Sequence, residues 1–119
     1  MQQMIRRHTV SFQHAFEGLI WAFRSQPNFR VHALCAFVVI LVGLYVQLAV
    51  FEWVLLIFMI LWVLTAELIN TALEAMTDLI SSQWHEQAKI AKDVSAAMVL
   101  VSAIGSLFVG ALLFIPKFF

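Results

Sequence analysis

Charged side chains are scarce in this chain of 119 residues, of which 12% are charged and 63% are hydrophobic. Soluble domains carry about 25% charged residues, so the composition excludes an ordinary soluble domain. The seven basic residues balance the seven acidic ones, and no basic run favours nucleic acid as a partner. The length predicts one domain, residues 1–119, embedded in a membrane.

Cysteine, proline and glycine are also rare. Cys35 is the only cysteine and lies in an apolar segment, which excludes a disulfide framework and a thiolate metal site and predicts a small buried side chain. The sequence contains no P-loop, no glycine-rich kinase loop and no HRD motif. These absences exclude the soluble kinase classes.

Three long apolar stretches take the place of a soluble core. Residues 33–51 carry no charge and, at 1.5 Å per residue, are long enough to cross about 30 Å of hydrocarbon. Residues 47–51 are expected to form the turn into a second span, residues 53–80. A third span, residues 94–115, is expected to end before Pro116.

Residues 4–24 predict a different kind of helix. Large apolar side chains recur there at helical spacings, with most polar and basic residues off the apolar stripe, at Ile5, Phe12, Phe16, Leu19, Ile20 and Phe23. Such a helix suits the membrane interface, and Pro27 breaks it at residues 25–28. The predicted fold class is an all-α membrane protein with an interfacial amphipathic helix and three transmembrane helices.

Basic residues are distributed unevenly about the three spans. Lys117 lies alone on one side, and the other six of the seven lie on the opposite side, at Arg6, Arg7, Arg24, Arg30, Lys89 and Lys92. Loops rich in lysine and arginine stay in the cytoplasm. We therefore expect a cytoplasmic amino terminus and a cytoplasmic connector at residues 81–93.

The most informative stretch is residues 66–93, which hold five of the seven acidic residues. Up to about Ser81 it lacks glycine and proline, so it predicts a helix that continues the second span. At 100° per residue one helix face, here called the polar face, collects Glu67, Asn70, Thr71, Glu74 and Asp78. The uncharged residues 53–66 are too short to cross a membrane alone, so Glu67 is expected within the bilayer margin.

A carboxylate beside hydrocarbon must pair with a cation, bind a metal or take up a proton. The polar face favours a metal and proton-transfer site, because three carboxylates converge where few cations can neutralise them. It is also compatible with a structural seam between helices, with an oligomeric cation or proton conduit, and with a non-catalytic subunit whose acids pair with a partner. A conduit needs polar positions along the whole span, whereas residues 53–65 offer only Thr65.

The segment Glu67-Leu-Ile-Asn-Thr-Ala-Leu-Glu74, followed by Asp78 and by His85-Glu-Gln-Ala-Lys-Ile-Ala-Lys92-Asp93, resembles the signature of the prokaryotic diacylglycerol kinase family. Asn28-Phe-Arg-Val-His32 is similar to the beginning of that family's first span. The family comprises small integral-membrane lipid kinases and includes the undecaprenol kinases. The resemblance implies ATP-dependent phosphorylation of a hydroxyl of diacylglycerol or undecaprenol by a homotrimer in the plasma membrane of a prokaryote.

Phosphoryl transfer needs Mg²⁺ on the phosphates and a base for the attacking hydroxyl. Mg²⁺ prefers one or two protein carboxylates, and Glu74 suits this role, about 10 Å along the helix from Glu67. Glu67 lies deeper, where a lipid hydroxyl approaches, and is the expected general base. The resemblance implies the same roles, adds Asn70 as a residue that orients the site and the substrate, and implies that Arg7 contacts substrate or phosphate.

The resemblance also implies nucleotide contacts around the connector, by Asp78, His85, Glu86, Lys92 and Asp93. The residues alone leave two interpretations of the last two. Lys92 contacts phosphate as a point charge, or it is a positive-inside anchor beside Asp93, which then caps a helix that begins at Val94. The second-span helix is expected to fray before His85, which leaves His85 to contact nucleotide or solvent.

Gln26 departs from the family pattern. Many members of the family carry a glutamate close to this position that shares the metal. Gln26 can offer a carbonyl oxygen to the metal but brings no charge. We therefore expect a weaker metal site or the loss of a second ion.

Small residues recur every four positions on the third span, at Ser102, Ser106 and Gly110. This spacing lets helix backbones approach closely, either within one chain or between copies. Three spans make a thin bundle that shields a polar face poorly from lipid. Self-association is therefore expected to complete the cover.

Overall fold

A computed structural model describes the backbone of residues 2–119 and the side chains from residue 11 onward. Within this range the chain forms four helices and no strand: α1 (Gln2–Ser25), α2 (Pro27–Tyr45), α3 (Val50–Ile80) and α4 (Glu86–Phe118). The last three are each long and apolar enough to cross a membrane. The predicted all-α membrane fold with three spanning helices is confirmed.

The break between α1 and α2 lies at Gln26, whose backbone is extended with φ −105° and ψ 107°. The break was expected, but the first span begins at Pro27 rather than at residue 33. Proline is favoured at the first position of a helix, because its fixed φ suits a helix and its missing N–H has no helical partner to lose there. The helix also ends at Tyr45, before the predicted end at residue 51.

Residues 46–49 form the turn between α2 and α3, a shorter turn that begins one residue earlier than predicted. Gln47 adopts a left-handed backbone with φ 55°, and the Leu48 N–H donates to the Gly43 carbonyl at 3.1 Å. A Cβ on Gly43 would lie 2.9 Å from Leu48 Cδ1 and 3.0 Å from Trp53 Cη2. Gly43 is therefore the position where α2 and the start of α3 need a residue without a side chain.

Helices α3 and α4 form an antiparallel hairpin that makes most of the interhelical contacts. The connector covers only residues 81–85, and α4 begins at Glu86, not at residue 94 as predicted. Residues 86–93 contain good helix formers, and His85 Nδ1 accepts the N–H of Gln87 at 3.2 Å, which caps the helix. The interpretation of Asp93 as the helix cap is wrong.

The far end of α4 also extends beyond its predicted limit. The helix continues through Pro116 to Phe118, and the Phe119 N–H still donates to the Ile115 carbonyl at 3.2 Å. Lys117 Nζ lies 2.9 Å from Glu52 Oε2, and the Ala49 N–H donates to the same oxygen at 2.7 Å. This ion pair joins the end of α4 to the beginning of α3.

The small apolar core lies at this same end of the hairpin, around Leu48, Leu56 and Leu113. Elsewhere many large apolar side chains are exposed, as expected for helices that face lipid. Cys35 is exposed as well, which corrects the expectation of a buried thiol. Cys35 lies on α2, and the interface between α2 and α3 is smaller than the interface between α4 and α3. One side of α2 is therefore left uncovered.

Helix α1 packs on α2, where Ala22 is buried. Its apolar side chains are open, with Phe12 75% and Phe16 67% exposed. On its polar side Gln13 donates to Glu17 at 2.9 Å and His14 lies 3.2 Å from the same carboxylate; together they lower the pKa of Glu17. An open apolar face and an internally paired polar face fit a helix in the membrane interface.

Candidate functional site

The polar face of α3 changes from buried to exposed along the helix. Glu67, Asn70 and Thr71 are buried, Glu74 is half-buried and Asp78 is exposed. Burial of the first three within one chain corrects the expectation that three spans shield the polar face poorly. The correction arises because α2 and α4 both pack on α3.

Glu67 is only 2% exposed, and among the described residues its Oε2 atom has no hydrogen-bond partner. Glu67 lies about 22 Å along the helix axis from Glu52, inside a hydrocarbon layer of about 30 Å that begins near Glu52. The titratable side chains near enough to interact with it electrostatically are His32 of α2 and Glu74. A buried carboxylate oxygen without a donor is costly and rare, so it points to a function.

Asn70 links Glu74 to α4. Its Nδ2 donates to Glu74 Oε1 at 3.2 Å, one helical turn along α3. Its Oδ1 accepts the hydroxyl of Ser95 at 2.7 Å. Asn70 therefore joins one oxygen of Glu74 to Ser95 of α4.

Ser95 was missed by the sequence analysis. It is 3% exposed and lies on α4 at the level of Asn70. The available signal was a hydroxyl near the start of the third apolar stretch, three residues after Lys92. Its importance depends on the register of α3 against α4, which the sequence pattern does not provide.

The exposed rim of the site contains an ion pair between Lys92 and Asp78, which joins α4 to α3. Asp93 instead pairs with Lys89, one turn earlier on its own helix. The predicted nucleotide residues thus separate into two groups. Asp78 belongs to the polar face and pairs with Lys92, whereas Asp93 pairs with Lys89 on the exposed side of α4.

Among the described side chains, no hydrogen bond or ion pair joins His85, Glu86 or Gln26 to Glu67 or Glu74. The helix α3 ends at Ile80, before His85 as expected, and His85 and Glu86 are exposed where the connector meets α4. Gln26 lies between α1 and α2, and no hydrogen bond in the described part of the chain joins it to Glu74. Arg7 lies outside the residues whose side chains are described.

Within the described residues no three His, Cys, Asp or Glu side chains come close enough to hold a metal ion by themselves. Mg²⁺ at a phosphate site needs only one or two carboxylates, because phosphate and water supply the other ligands. Glu74 fits this requirement, since Asn70 occupies only Oε1. The donor set suits a metal that arrives with a nucleotide.

An apolar groove of about 310 Å³ lies between α2, α3 and α4. Val63, Gly110 and Phe114 are among its lining residues, and His32 borders it as well. Within the described structure, a Cβ on Gly110 would have no neighbour within 4 Å. Within this chain Ser106 and Gly110 therefore border an open groove, whereas Ser102 is buried. His32, which also borders the groove, lies near enough to Glu67 to interact with it electrostatically.

The sequence model of the family described as prokaryotic diacylglycerol kinase matches residues 13–114. The undecaprenol kinase of Bacillus subtilis (strain 168) is 39% identical over 113 residues, 95% of this chain and 92% of that protein. The diacylglycerol kinase of Synechocystis sp. is 40% identical over 108 residues, 90% of this chain and 62% of that protein. The diacylglycerol kinase of Escherichia coli (strain K12) is 30% identical over 91 residues, 76% of this chain and 75% of that protein. The chain belongs to the prokaryotic diacylglycerol kinase family.

Proposed function

We propose that this protein transfers the γ-phosphoryl group of ATP to a hydroxyl of a membrane lipid, with Glu67 as the general base and Glu74 as the carboxylate that holds Mg²⁺. Family membership supports lipid-kinase activity. The observation that carries the assignment of residues is the buried Oε2 of Glu67, for which the described residues provide no hydrogen-bond donor. A substrate hydroxyl is the donor that this oxygen lacks.

In the reaction the lipid hydroxyl donates its hydrogen bond to Glu67. As the bond from the hydroxyl oxygen to the γ-phosphorus forms and the bond to the β-γ bridging oxygen breaks, the hydroxyl proton passes to the carboxylate. ADP leaves with the bridging oxygen. The apolar groove that His32 borders supports an approach of the lipid from the membrane side.

Glu74 and Asn70 prepare the phosphate side of the site. Mg²⁺, when bound with ATP, neutralises charge on the phosphate oxygens. Asn70 holds Glu74 by its amide, which limits the rotation of the carboxylate and leaves Oε2 for the metal. Gln26, between α1 and α2, is the proposed second ligand and supplies a neutral oxygen.

The exposed rim is the proposed nucleotide contact. Lys92 pairs with Asp78 and exchanges this partner for a phosphate oxygen when ATP binds. His85, Glu86 and Asp93 are exposed nearby and are proposed to contact the rest of the nucleotide, together with Arg7. Lysine can exchange one anionic partner for another because its ammonium group acts as a point charge and requires no fixed bonding geometry.

The proposed acceptor is undecaprenol, with diacylglycerol as the alternative. The chain spans 92% of the B. subtilis relative named undecaprenol kinase, against 62% of the Synechocystis relative named diacylglycerol kinase, at nearly equal identity. The test is a competition assay with purified protein in nanodiscs that hold both lipids at equal mole fraction. More undecaprenyl phosphate than phosphatidic acid is expected; the reverse ratio would transfer the assignment to diacylglycerol.

The same purified protein tests the rival functions. A conduit is disfavoured because residues 50–64 of α3 carry one charged side chain, Glu52, and Lys117 pairs with it. A non-catalytic subunit would consume no ATP on its own. Absence of lipid phosphorylation in nanodiscs, together with proton flux in vesicles, would replace the kinase by the conduit.

The cytoplasmic orientation of the amino terminus and the homotrimer are part of the proposal. For the orientation, Phe119→Cys in a Cys35→Ala background is expected to react with a membrane-impermeant maleimide added outside intact cells. Reaction only after permeabilisation would reverse the topology. For the trimer, the native mass of the protein released from nanodiscs is expected to be three times that of one chain.

A further inference from the structure

Ser95 occupies a buried contact between α3 and α4 and has two acceptors for one proton. Its Oγ lies 2.7 Å from Asn70 Oδ1 and 2.9 Å from the carbonyl oxygen of Lys92. A hydroxyl group has a single proton to donate. Which acceptor receives it depends on the orientation of the Asn70 amide.

Glu74 determines that orientation. An ionised carboxylate only accepts hydrogen bonds, so Asn70 must direct its NH₂ group at Glu74 Oε1 and its Oδ1 at α4. Neither Oδ1 nor the Lys92 carbonyl oxygen can donate, but the Lys92 carbonyl lies inside α4 and already accepts a helix N–H. The Ser95 proton is therefore assigned to the shorter bond, to Asn70. The order of donation therefore runs from Ser95 of α4, through Asn70, to Glu74 of α3.

The other serines of α4 indicate that the bond to Asn70 is not a by-product of helical packing. Ser102 is 4% exposed and donates to the Val99 carbonyl at 2.7 Å, and Ser106 donates to the Ala103 carbonyl at 2.8 Å. All three serines can bond to the residue three positions earlier in their own helix. In the described part of the chain Ser95 alone also reaches α3.

We propose that Ser95 is a positioning residue that anchors the Asn70 side chain to α4, in the orientation that its bond to Glu74 requires, and thereby limits the movement of the Glu74 carboxylate. The consequence for metal binding depends on the role given to Glu74 in the proposed function. The positioning itself does not depend on that role. It is a property of the protein without metal or nucleotide.

The first measurement uses the fact that the chain contains only two asparagines, Asn28 and Asn70. Protein labelled with ¹⁵N in the asparagine side chains, in lipid bilayers without metal or nucleotide, gives two pairs of amide signals. Asn70→Asp identifies the Asn70 pair, and Asn28, which is exposed, is the internal reference. Ser95→Ala is expected to shift and broaden the Asn70 pair only, and Ser95→Thr, which keeps a hydroxyl, is expected to restore it.

Ser102→Ala is the matched control, because it removes an equally buried hydroxyl from the same helix. It is expected to leave both amide pairs unchanged. Unchanged Asn70 signals in Ser95→Ala, or an equal change in Ser102→Ala, would overturn the proposal whatever the kinetics.

The second measurement is the Mg²⁺ concentration for half-maximal lipid phosphorylation. The loss of one hydrogen bond is expected to raise it about two- to tenfold in Ser95→Ala, with the KM for lipid unchanged and with Ser102→Ala like the wild type. If the Asn70 signals move while neither Ser95→Ala nor Glu74→Gln alters the Mg²⁺ dependence, the positioning role is supported. The unchanged Mg²⁺ dependence would then contradict only the assignment of the metal to Glu74.

Discussion

Each end of the α3–α4 hairpin holds a glutamate, and the surroundings of the two glutamates are opposite in kind. At one end, here called the paired end, Glu52 meets Lys117 at 2.9 Å and Leu48, Leu56 and Leu113 form the core beside it. At the other, the polar end, Glu67 is more deeply buried and the described side chains leave one of its oxygens without a donor. The same two helices supply both ends.

Under the proposed function, the difference separates a charge with a structural role from a charge with a catalytic role. An acid that joins two elements is matched by a base, and removal of either partner affects folding. An acid that reacts with a substrate must remain available to it. The cost of desolvating its carboxylate is therefore not offset by a partner until the substrate binds. Each prediction below concerns one of the two ends and is expected to leave the other unaffected.

The largest effect is expected for Glu67→Gln. The amide keeps the size of the side chain but cannot accept the substrate proton, so kcat should fall by about 10² to 10⁴ while ATP binding changes little. Folding should survive, because the change removes a buried charge that lacks compensation. Steady-state lipid phosphorylation and ATP binding in nanodiscs measure the two quantities.

Two results would contradict this role of Glu67. A kcat near that of the wild type would show that another group accepts the proton. Equal losses of kcat and ATP affinity would assign Glu67 to the nucleotide site instead.

The next effect is expected for Glu74→Gln, which removes the carboxylate from the metal site. The Mg²⁺ concentration for half-maximal activity should rise at least about tenfold, since even indirect supports of a metal contribute that much. Gln26→Glu should lower the same concentration by adding a charge. A Mg²⁺ dependence unchanged in both variants would place the metal elsewhere.

At the paired end, Gly43→Ala should reduce stability without an effect on the polar end. The added methyl would lie 3.0 Å from the Trp53 ring, which cannot move as easily as the Leu48 side chain, so a loss of about 1–3 kcal/mol is expected. Gly110→Ala is the control, because an added Cβ there has no neighbour within 4 Å among the described residues. Equal thermal stabilities of the two variants in detergent would contradict the close contact at Gly43.

The smallest effect is expected for Glu52→Gln. The variant loses the attraction to Lys117 but keeps an oxygen for the Ala49 N–H, so Tm should fall by less than in Gly43→Ala. The KM for ATP and the Mg²⁺ dependence should match those of the wild type. A change in either would mean that the paired end communicates with the polar end.

Much of the fold follows from local chemistry and was therefore predictable. The three spans follow from the apolar stretches, and the position of the polar face follows from the helical repeat without knowledge of any contact. The ends of the helices were predicted less well. At residues 86–93 charged helix formers continue α4 into water, so the absence of charge did not mark the beginning of the helix.

The site was predictable only as far as one helix determines it. Glu67, Asn70 and Glu74 were recognised on α3 because helical spacing and family resemblance both point to them. The burial of Glu67 and the bond from Ser95 depend on how α2 and α4 pack on α3, which pairs residues 25 positions apart such as Asn70 and Ser95. No local pattern in the sequence contains that information.

The length of α3 has a consequence for the kinds of mutation this gene can tolerate. With 31 residues the helix is about 46 Å long, about 16 Å more than the hydrocarbon layer, so one unbroken rod holds both Glu67 and Asp78. Inserting or deleting one residue between them would rotate everything beyond by about 100° and turn at least one of Glu67, Glu74 and Asp78 away from the common face. Variation in length should therefore be absent from residues 67–78 and confined to the turn at 46–49 and the connector at 81–85.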